Sequence, residues 1–580
     1  MLSGLFFKLL PVQVLIAAMG SVNSIVDGTV AGRCIDSGTV GVVGLHFSFV
    51  YLLNATGAVL LGGTAVLCGR SMGSGDLRKT NALFSLNLTL TFIAGVTFSS
   101  VCFIFPGILA DILGASPELR PALMTYIKGY ATGIIPQLMA QQIASFLQME
   151  RQSKRGYAGV AGMIVTNVTL DILFVAVFDL GVLGLALATS FGNWVYFMIL
   201  TPYFLTKGSH LRFDPKNICW DMTGAMLKIG FPGAMLIFCI AFRGMVLNRI
   251  LIRYTGDDGL SAQSALSLIT GLCVAFALGI GATLRVLASV SFGEKDKDSL
   301  KKLLKIASVK TIPLSLAVTA VLLLLSSPLS FLFFPDRTST VYRYTHQLFI
   351  IYGCCLPLIV LCQVVANYLQ AGEHNIYVNI LSIFDGFFAM VIPSVLLAPV
   401  LGALGVWLAN PIGIIMTLLL SVGYACVFWR RIPRNSDEWL LLKEDFGVPD
   451  KDRLALEISS MSDVTETASK VHAFCDGHEI ERKTAFYASL CLEEMAGNVV
   501  RHGFSADKKK HNAEARIMIL DGEVMLRLKD DCAPFDPTEM AELLTDDEPE
   551  KNIGLRMVRK IARDMTYQNL MGLNVLSISL

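Results

Sequence analysis

Charged residues are scarce in this chain. Only 16% of its 580 residues are Asp, Glu, Lys or Arg, whereas a soluble globular domain carries about 25%. The deficit is uneven, because residues 1–430 form one apolar run after another, and residues 434–580 hold much of the acid, base and histidine. The composition therefore predicts a membrane part followed by a water-soluble part.

Three further absences narrow the class of protein. The net charge is only +1, so the composition gives no reason to expect the basic patch that binds nucleic acid. The 13 cysteines are scattered without a Cys-x-x-Cys pair, so the sequence predicts neither a disulfide framework nor a zinc site. The motif Gly-x-x-x-x-Gly-Lys-Ser/Thr is missing. That motif is the phosphate loop expected of an ATP-driven pump.

Twelve segments are long and apolar enough to span a bilayer, which takes about 20 residues. We place them near residues 9–32, 40–68, 83–106, 121–148, 157–178, 182–205, 224–252, 260–291, 303–335, 345–371, 376–398 and 402–429. Loops after even-numbered spans carry more Lys and Arg than the others. By the positive-inside rule, both termini of this multi-pass protein lie on the cytoplasmic side of the cell membrane.

The membrane part repeats itself at an offset of 221 residues. The corresponding positions are Pro11 and Pro232, Asp27 and Asn248, and the stretches 181–189 (GVLGLALAT) and 402–410 (GALGVWLAN). One offset that holds at both ends predicts two copies of six spans with the same orientation, residues 1–218 and 219–430. Some secondary transporters have this parallel-repeat arrangement.

Two carboxylates lie at membrane depth in the first copy. They are Asp27 and Asp171, with Asn167 one helical turn before Asp171 and Thr189 in the next span. A carboxylate at this depth costs about 2.5–3.5 kcal/mol on insertion scales, so it is usually paired or functional. The set suits Na⁺ binding or proton exchange. Helix capping and hydrogen bonding within the bundle are the structural alternative. In the second copy Asp385 is the main carboxylate, so we assign coupling to the first.

Several of these features resemble the multidrug and toxic compound extrusion (MATE) transporters. The features are Pro11, residues 25–32, the glycines in 69–75, and residues 167–171 and 181–189. The resemblance covers residues 1–430 and implies export of organic, often cationic, compounds in exchange for Na⁺ or H⁺ by alternating access. It also implies a coupling site formed by Asp27, Asn167, Asp171 and Thr189. The wider superfamily includes flippases of lipid-linked sugars, which leaves a second substrate class open.

The soluble part is predicted as an α+β domain over residues 454–580, after a linker at 431–453. Strands are predicted at 454–459, 513–520, 523–530 and 573–580, and helices at 461–476, 480–503, 537–545 and 553–567. The dipeptide Asp521–Gly522 is a hairpin turn signal between the two middle strands.

Three places in this domain carry the residue types of a nucleotide site. Glu494 and Asn498 share a helix face, where an amide oxygen suits Mg²⁺ and a carboxylate suits a general base. Asp530 lies at a strand end before a sharp turn, where its carboxylate can accept a hydrogen bond from an amino group. Gly554 opens a helix whose N–H groups suit a phosphate.

The ordered trio resembles the GHKL (histidine kinase-like) ATP-binding fold, and in particular the anti-sigma-factor serine kinases. The resemblance implies that Glu494 is a general base, Asn498 a Mg²⁺ ligand, Asp530 the adenine contact and Gly554 the phosphate end of the lid. Two departures stand out, Cys532 where a glycine is usual and Lys551–Asn552 where a glycine-rich run is usual. ATP binding is predicted, and kinase or ATPase activity is left open.

The sequence therefore predicts a MATE-type antiporter fused to a cytoplasmic ATP-binding domain. The expected ligands are a small organic substrate, a coupling ion (Na⁺ or H⁺), ATP and Mg²⁺. The expected partners are the lipid bilayer and a cytoplasmic regulatory protein, because the domain either regulates transport or phosphorylates a partner. A membrane-embedded sensor with serine kinase activity and a lipid-linked oligosaccharide flippase are the alternative functions.

Overall fold

The computed structural model describes most of the chain. The described residues are 2–35, 37–74, 76–113, 115, 117, 119–150, 152–206, 209, 211–334, 336–443, 446–505, 511–520, 522–538, 553–570 and 572–580. Only the backbone is described at residues 19–34, 37–41, 44, 47–48, 153, 245, 257, 260, 264, 268, 332, 450, 520 and 570.

Long apolar helices form the membrane part, because a helix satisfies its own backbone hydrogen bonds in lipid. In the first half they are α1 (Leu2–Cys34), α2 (Ser37–Ser74), α3 (Leu77–Ile104), α4 (Pro106–Ile112), α5 (Arg120–Ala131), α6 (Ile134–Met149), α7 (Ser153–Asp171) and α8 (Gly181–Leu200). In the second half they are α9 (Thr223–Gly293), α10 (Lys297–Lys305), α11 (Ile312–Phe333), α12 (Thr340–Ala371), α13 (Asn375–Ile383), α14 (Ala389–Leu401) and α15 (Ala403–Trp429).

The predicted spans fall on these helices, except that the one predicted at 121–148 is divided between α5 and α6. Ten helices of the described chain are long and apolar enough to cross a membrane, and a shorter apolar helix covers Leu2–Ala18. The spans predicted at 224–252 and 260–291 are both in α9, which bends at Gly256 with φ +63°, a conformation that favours glycine. The chain is therefore a multi-pass membrane protein.

The two halves meet closely where α2 lies against α9. A Cβ on Gly63 would overlap the carbonyl oxygen of Met226, and a Cβ on Gly230 would overlap that of Val59. Glycine at these points lets the two helix backbones touch. The contact lies towards the end of the bundle that carries the C-terminal domain, which we call the domain side.

The C-terminal domain is a five-stranded antiparallel sheet with helices on one face. Its elements are β1 (Arg453–Ile458), α17 (Met461–Gly477), α18 (Arg482–Asn498), β2 (Ala513–Leu520), β3 (Glu523–Asp530), α19 (Ile553–Ile561), β4 (Asp564–Leu570) and β5 (Leu573–Ser579). The strand order is β1-β2-β3-β5-β4. The core lies between sheet and helices and includes Val464, Leu492, Ile517, Leu526 and Leu555.

Most predicted elements of this domain match the structure, and one is wrong in part. The helix predicted at 553–567 ends at Ile561, and β4 follows and pairs with β5. Met565 and Tyr567 alternate with polar residues, and this period of two is typical of a strand. The helix predicted at 537–545 and its acidic continuation lie largely outside the described residues.

The segment predicted as a linker is packed against the membrane part. A short helix, α16 (Ser436–Trp439), is followed by Leu440–Leu442, which are buried in the same apolar cluster as α9 and α12. The Tyr368 hydroxyl donates to the Leu440 carbonyl at 2.9 Å. The connection between the two parts is therefore anchored.

Candidate functional site

Two sites emerge, and the first is a polar cluster inside the N-terminal half. Asn167 on α7 is fully buried and donates from Nδ2 to the Thr189 hydroxyl on α8 at 3.3 Å. The two helices are close here, because a Cβ on Gly192 of α8 would lie 3.2 Å from the Met163 carbonyl oxygen of α7. Two of the predicted coupling residues therefore touch across neighbouring helices.

Asp171 lies one helical turn beyond Asn167 and is also fully buried. It ends α7, and the next residues, Ile172–Val177, form a π-helical turn. Such turns are frequent at functional sites. The backbone of Asp27 is in α1, which packs against α7, but its side chain lies outside the described residues.

The C-terminal half has a related feature that the sequence alone did not indicate. Asp385 lies in a second π-helical turn, Phe384–Phe388, again in the fifth span of its half. Its Oδ1 accepts from the Thr417 hydroxyl at 3.2 Å, and Arg243 donates to its backbone carbonyl at 3.3 Å. Asp385 therefore has local partners of its own.

The second site lies in the C-terminal domain and begins on α18. One face of this helix packs into the core through Ala488, Cys491 and Met495. Glu494 and Asn498, spaced four residues apart, are half-buried on a common face. The two side chains therefore lie one helical turn apart on the same side of α18.

Asp530 ends β3 on the helical side of the sheet and is only 5% exposed. Its Oδ1 accepts from Asn574 Nδ2 at 2.7 Å and from the Cys532 backbone N–H at 3.0 Å. Burial raises the pKa of the Asp530 carboxyl, although these donors act to lower it. Asn574 is in turn held by the Tyr567 hydroxyl at 2.8 Å. The sequence did not reveal Asn574, because its place depends on the register of β3 against β5.

Gly554 lies directly over Glu494. A Cβ at this position would overlap the Glu494 carboxylate. The first turn of α19 therefore meets Glu494, the residue predicted to be the general base. Lys551–Asn552, the predicted departure from a glycine-rich lid, lies outside the described residues.

Cys532, the other departure, is part of a donor cluster at the open end of the β2–β3 hairpin. The register that pairs Ala513 with Asp530 places His511 opposite Cys532. His511 Nδ1 and Asp531 Oδ1 are 3.1 Å apart, and one nitrogen, oxygen or sulfur donor from each of the three residues lies within 4.8 Å of the others. These are atom types that can bind a metal ion, and the sequence did not indicate the cluster because the strand register brings the three residues together.

Comparison with known proteins agrees with this two-part architecture. The MatE family model matches residues 14–173 and 232–395, more than half of the chain. The model of the histidine kinase-like ATPase domain matches residues 459–580.

Individual relatives align mainly with the membrane part. The chain is 22% identical over 426 residues to the probable multidrug resistance protein YoeA of Bacillus subtilis, across 71% of this chain and 90% of that protein. It is 25% identical over 248 residues to the multidrug export protein MepA of Staphylococcus saprophyticus, across 41% of this chain and 54% of MepA.

Solved structures show the same fold. An outward-facing multidrug resistance MATE transporter superimposes with a TM-score of 0.68 at 19% identity, and MATE in complex with MaD3S superimposes with a TM-score of 0.67 at 20% identity. Each comparison covers 72% of this chain and 94% of the other. The chain belongs to the MatE family of membrane transporters and carries a histidine kinase-like ATPase domain at its C-terminal end.

Proposed function

We propose that this protein exports small organic compounds in exchange for Na⁺ or H⁺, and that its C-terminal domain binds ATP with Mg²⁺ and regulates the export. The observation that carries the transport proposal is Asp171, a fully buried carboxylate next to a π-helical turn. Intramembrane acids usually mark an ion or proton pathway. The names of YoeA and MepA support an organic substrate.

The ion site would be formed by Asp27, Asn167, Asp171 and Thr189. Asn167 and Thr189 already touch, and α1, which carries Asp27, packs against α7. Binding of a cation or proton changes the charge inside the N-terminal half. The ion shifts the equilibrium between two packings of the halves only if it binds one packing more tightly than the other.

The ATP site would use the four residues placed on the helical side of the sheet. Asn498 would hold Mg²⁺, Glu494 would act on the phosphate end, and Asp530 would bind the adenine amino group. Gly554 lies in the first turn of α19 without a side chain, where a Cβ would overlap the Glu494 carboxylate, and the backbone N–H groups of this first turn would bind the phosphate. Bound MgATP would supply the γ-phosphoryl group for any phosphoryl transfer, with ADP as the leaving group.

Orientation follows from the positive-inside rule, which places both termini on the cytoplasmic side. The segment 295–305 carries five lysines and lies next to the C-terminal domain. The domain would then face cytoplasmic ATP, and transport would run outwards across the cell membrane.

Asn498→Ala tests the ATP site. It is expected to weaken MgATP binding at least about tenfold, or ~1.4 kcal/mol, because the metal loses a ligand. The measurement is binding of a fluorescent ATP analogue to the full-length purified protein. Asn512→Ala, at an exposed asparagine of the same domain, is the control and should bind as the wild type does.

The same variant separates regulation from a sensor function. If substrate efflux from cells changes in Asn498→Ala, the domain regulates transport. If the Asn498→Ala variant exports the substrate at the wild-type rate, regulation by this domain is contradicted. Absent efflux together with ATP-dependent phosphorylation of a partner protein would replace the proposal with the sensor kinase.

Gly554→Ala is expected to reduce MgATP affinity by a similar factor for a steric reason. The added methyl group must displace the Glu494 carboxylate or the start of α19. Alanine is the better helix former, so stability should not fall through helix propensity. Gly477→Ala, where the new methyl group has nothing within 4 Å, is the control. Equal MgATP affinity for both variants would place the phosphates elsewhere.

A further inference from the structure

The face of the sheet turned away from the helices carries a row of bases. Arg453 lies on β1, Arg516 on β2 and Lys529 on β3. The register pairs Arg453 with Met518 and Lys529 with Glu514, each two residues from Arg516. Side chains two residues apart lie on the same face of a strand. Arg527 of β3, which pairs with Arg516, lies on this face as well. Three adjacent strands therefore present four bases on what we call the docking face.

Acids of the membrane part meet these bases. They lie at residues 294–298, which connect α9 to α10 and include the first turn of α10. The pairs are Lys529 Nζ with Glu294 Oε2 at 2.6 Å, Arg453 Nη1 with Asp298 Oδ2 at 3.0 Å, and Arg516 with Asp296. Arg527 donates to the Glu294 backbone carbonyl at 3.5 Å, so all four bases contact the membrane part.

Two of these three ion pairs, Lys529–Glu294 and Arg516–Asp296, are buried, unlike ordinary surface ion pairs. Asp296 is 2% exposed, Arg516 6% and Lys529 8%. Burial alone would raise the pKa of the Asp296 carboxyl, but Lys529 and Arg516 outweigh it and hold that pKa well below its ordinary value. The carboxylate is therefore charged and paired at neutral pH.

The docking face also reaches the first half of the transporter. Leu573 and Val575 on β5 share an apolar cluster with Leu5 of α1 and Val290 of α9, and Leu2 packs against it. The domain therefore contacts both halves at once. Separation of α1 from α9 on the domain side would break one of these contacts.

The same end of α9 closes the two halves against each other. A Cβ on Gly69 of α2 would lie 2.6 Å from Ser289 Cβ of α9. Arg70 of α2 pairs with Glu373 of the second half at 2.8 Å and donates to the Ala371 carbonyl at 2.8 Å. The structure is closed on the domain side, and the domain is attached where that closure forms.

Nucleotide-site and docking residues alternate along two strands. On β3, Lys529 points to the transporter and Asp530 to the helical side of the sheet. On β5, Val575 lies at the docking face, and Asn574, which holds Asp530, lies on the opposite face. A shift of either strand on nucleotide binding therefore moves both faces.

We infer that the docking face links nucleotide binding to closure of the transporter, so that ATP changes how often the two halves open on the domain side. The docked domain favours the closed state because it bridges α1 and α9. The inference rests on the proposed ATP binding and names its route of regulation. By linkage, the open and closed states bind MgATP with different affinities.

The test measures opening between the halves through a cysteine at a buried position. Ser71 is 4% exposed and lines a cavity of about 420 Å³ between α2 and α9. In full-length Ser71→Cys protein, alkylation of the peptide carrying residue 71 is followed by mass spectrometry with and without MgATP. The alkylation rate is expected to change about fivefold or more, and Lys529→Met should remove the change while MgATP still binds.

Two further variants keep the test decisive. Lys470→Met, at an exposed pair with Glu466, should retain the ATP effect. Lys529→Arg, which keeps a positive charge beside Glu294 and Asp296, should also retain the ATP effect. An ATP effect of full size in Lys529→Met, or ATP binding without any effect in the parent, would overturn the inference alone. Absence of MgATP binding in the parent would overturn the proposed function as well.

Discussion

Asp171→Asn is expected to reduce ion-driven export to the level of protein-free vesicles. The substitution keeps the shape of the side chain but removes the negative charge that a cation or proton would bind. The protein should remain folded, because a carboxylate at membrane depth costs about 2.5–3.5 kcal/mol on insertion scales and an amide costs less. The measurement is substrate accumulation in proteoliposomes under an imposed Na⁺ or H⁺ gradient.

Asp385→Asn is the matched comparison for this prediction. Asp385 also lies in a π-helical turn of a fifth span, but Thr417 and Arg243 are its partners. We expect gradient-dependent export to persist in Asp385→Asn. Loss of export in Asp385→Asn with normal export in Asp171→Asn would move the coupling site to the C-terminal half.

Arg516→Met is expected to have the largest effect on the contact between the two parts. It leaves Asp296 buried without its nearest basic partner, and breaking a buried pair costs about 3–5 kcal/mol. We expect about 3 kcal/mol, the lower end of that range, because Lys529 remains 3.7 Å from Asp296. Amide exchange of residues 294–300 in the full-length protein should become roughly 150-fold faster.

An apolar double variant distinguishes a lost pair from lost packing. Arg516→Met with Asp296→Leu removes both charges, and such replacements are often neutral or stabilising. Exchange at 294–300 should then return towards the wild-type rate. At the exposed pair Arg563–Glu523, Arg563→Met should change stability by no more than about 1 kcal/mol. Slow exchange in Arg516→Met itself would mean that the docking contact does not depend on this pair.

Much of the architecture was predictable, because it follows from local patterns. The apolar runs predicted the long helices of the membrane part. The alternation around Asp521–Gly522 predicted β2 and β3 over residues 513–520 and 523–530, as the structure has them. The strand Asp564–Leu570 was missed, since a short alternating stretch after a helix resembles a helix end. Only the pairing with β5 makes this stretch a strand.

The contacts that define the sites depended on long-range register and docking. Asn574 holds Asp530 because β3 and β5 pair in one register, across 44 residues of sequence. The acids of residues 294–298 read as an ordinary charged loop, and their pairing with the sheet depends on how the domain docks. No local pattern carries that information.

The most direct test of the central claim is transport by the wild-type protein in proteoliposomes, with ATP supplied only on the side of the C-terminal domain. The account predicts substrate movement that requires an imposed Na⁺ or H⁺ gradient, continues without ATP, and changes in rate when MgATP is added. Transport driven by ATP in the absence of any ion gradient, or an ion-driven rate that MgATP leaves unchanged, would contradict it.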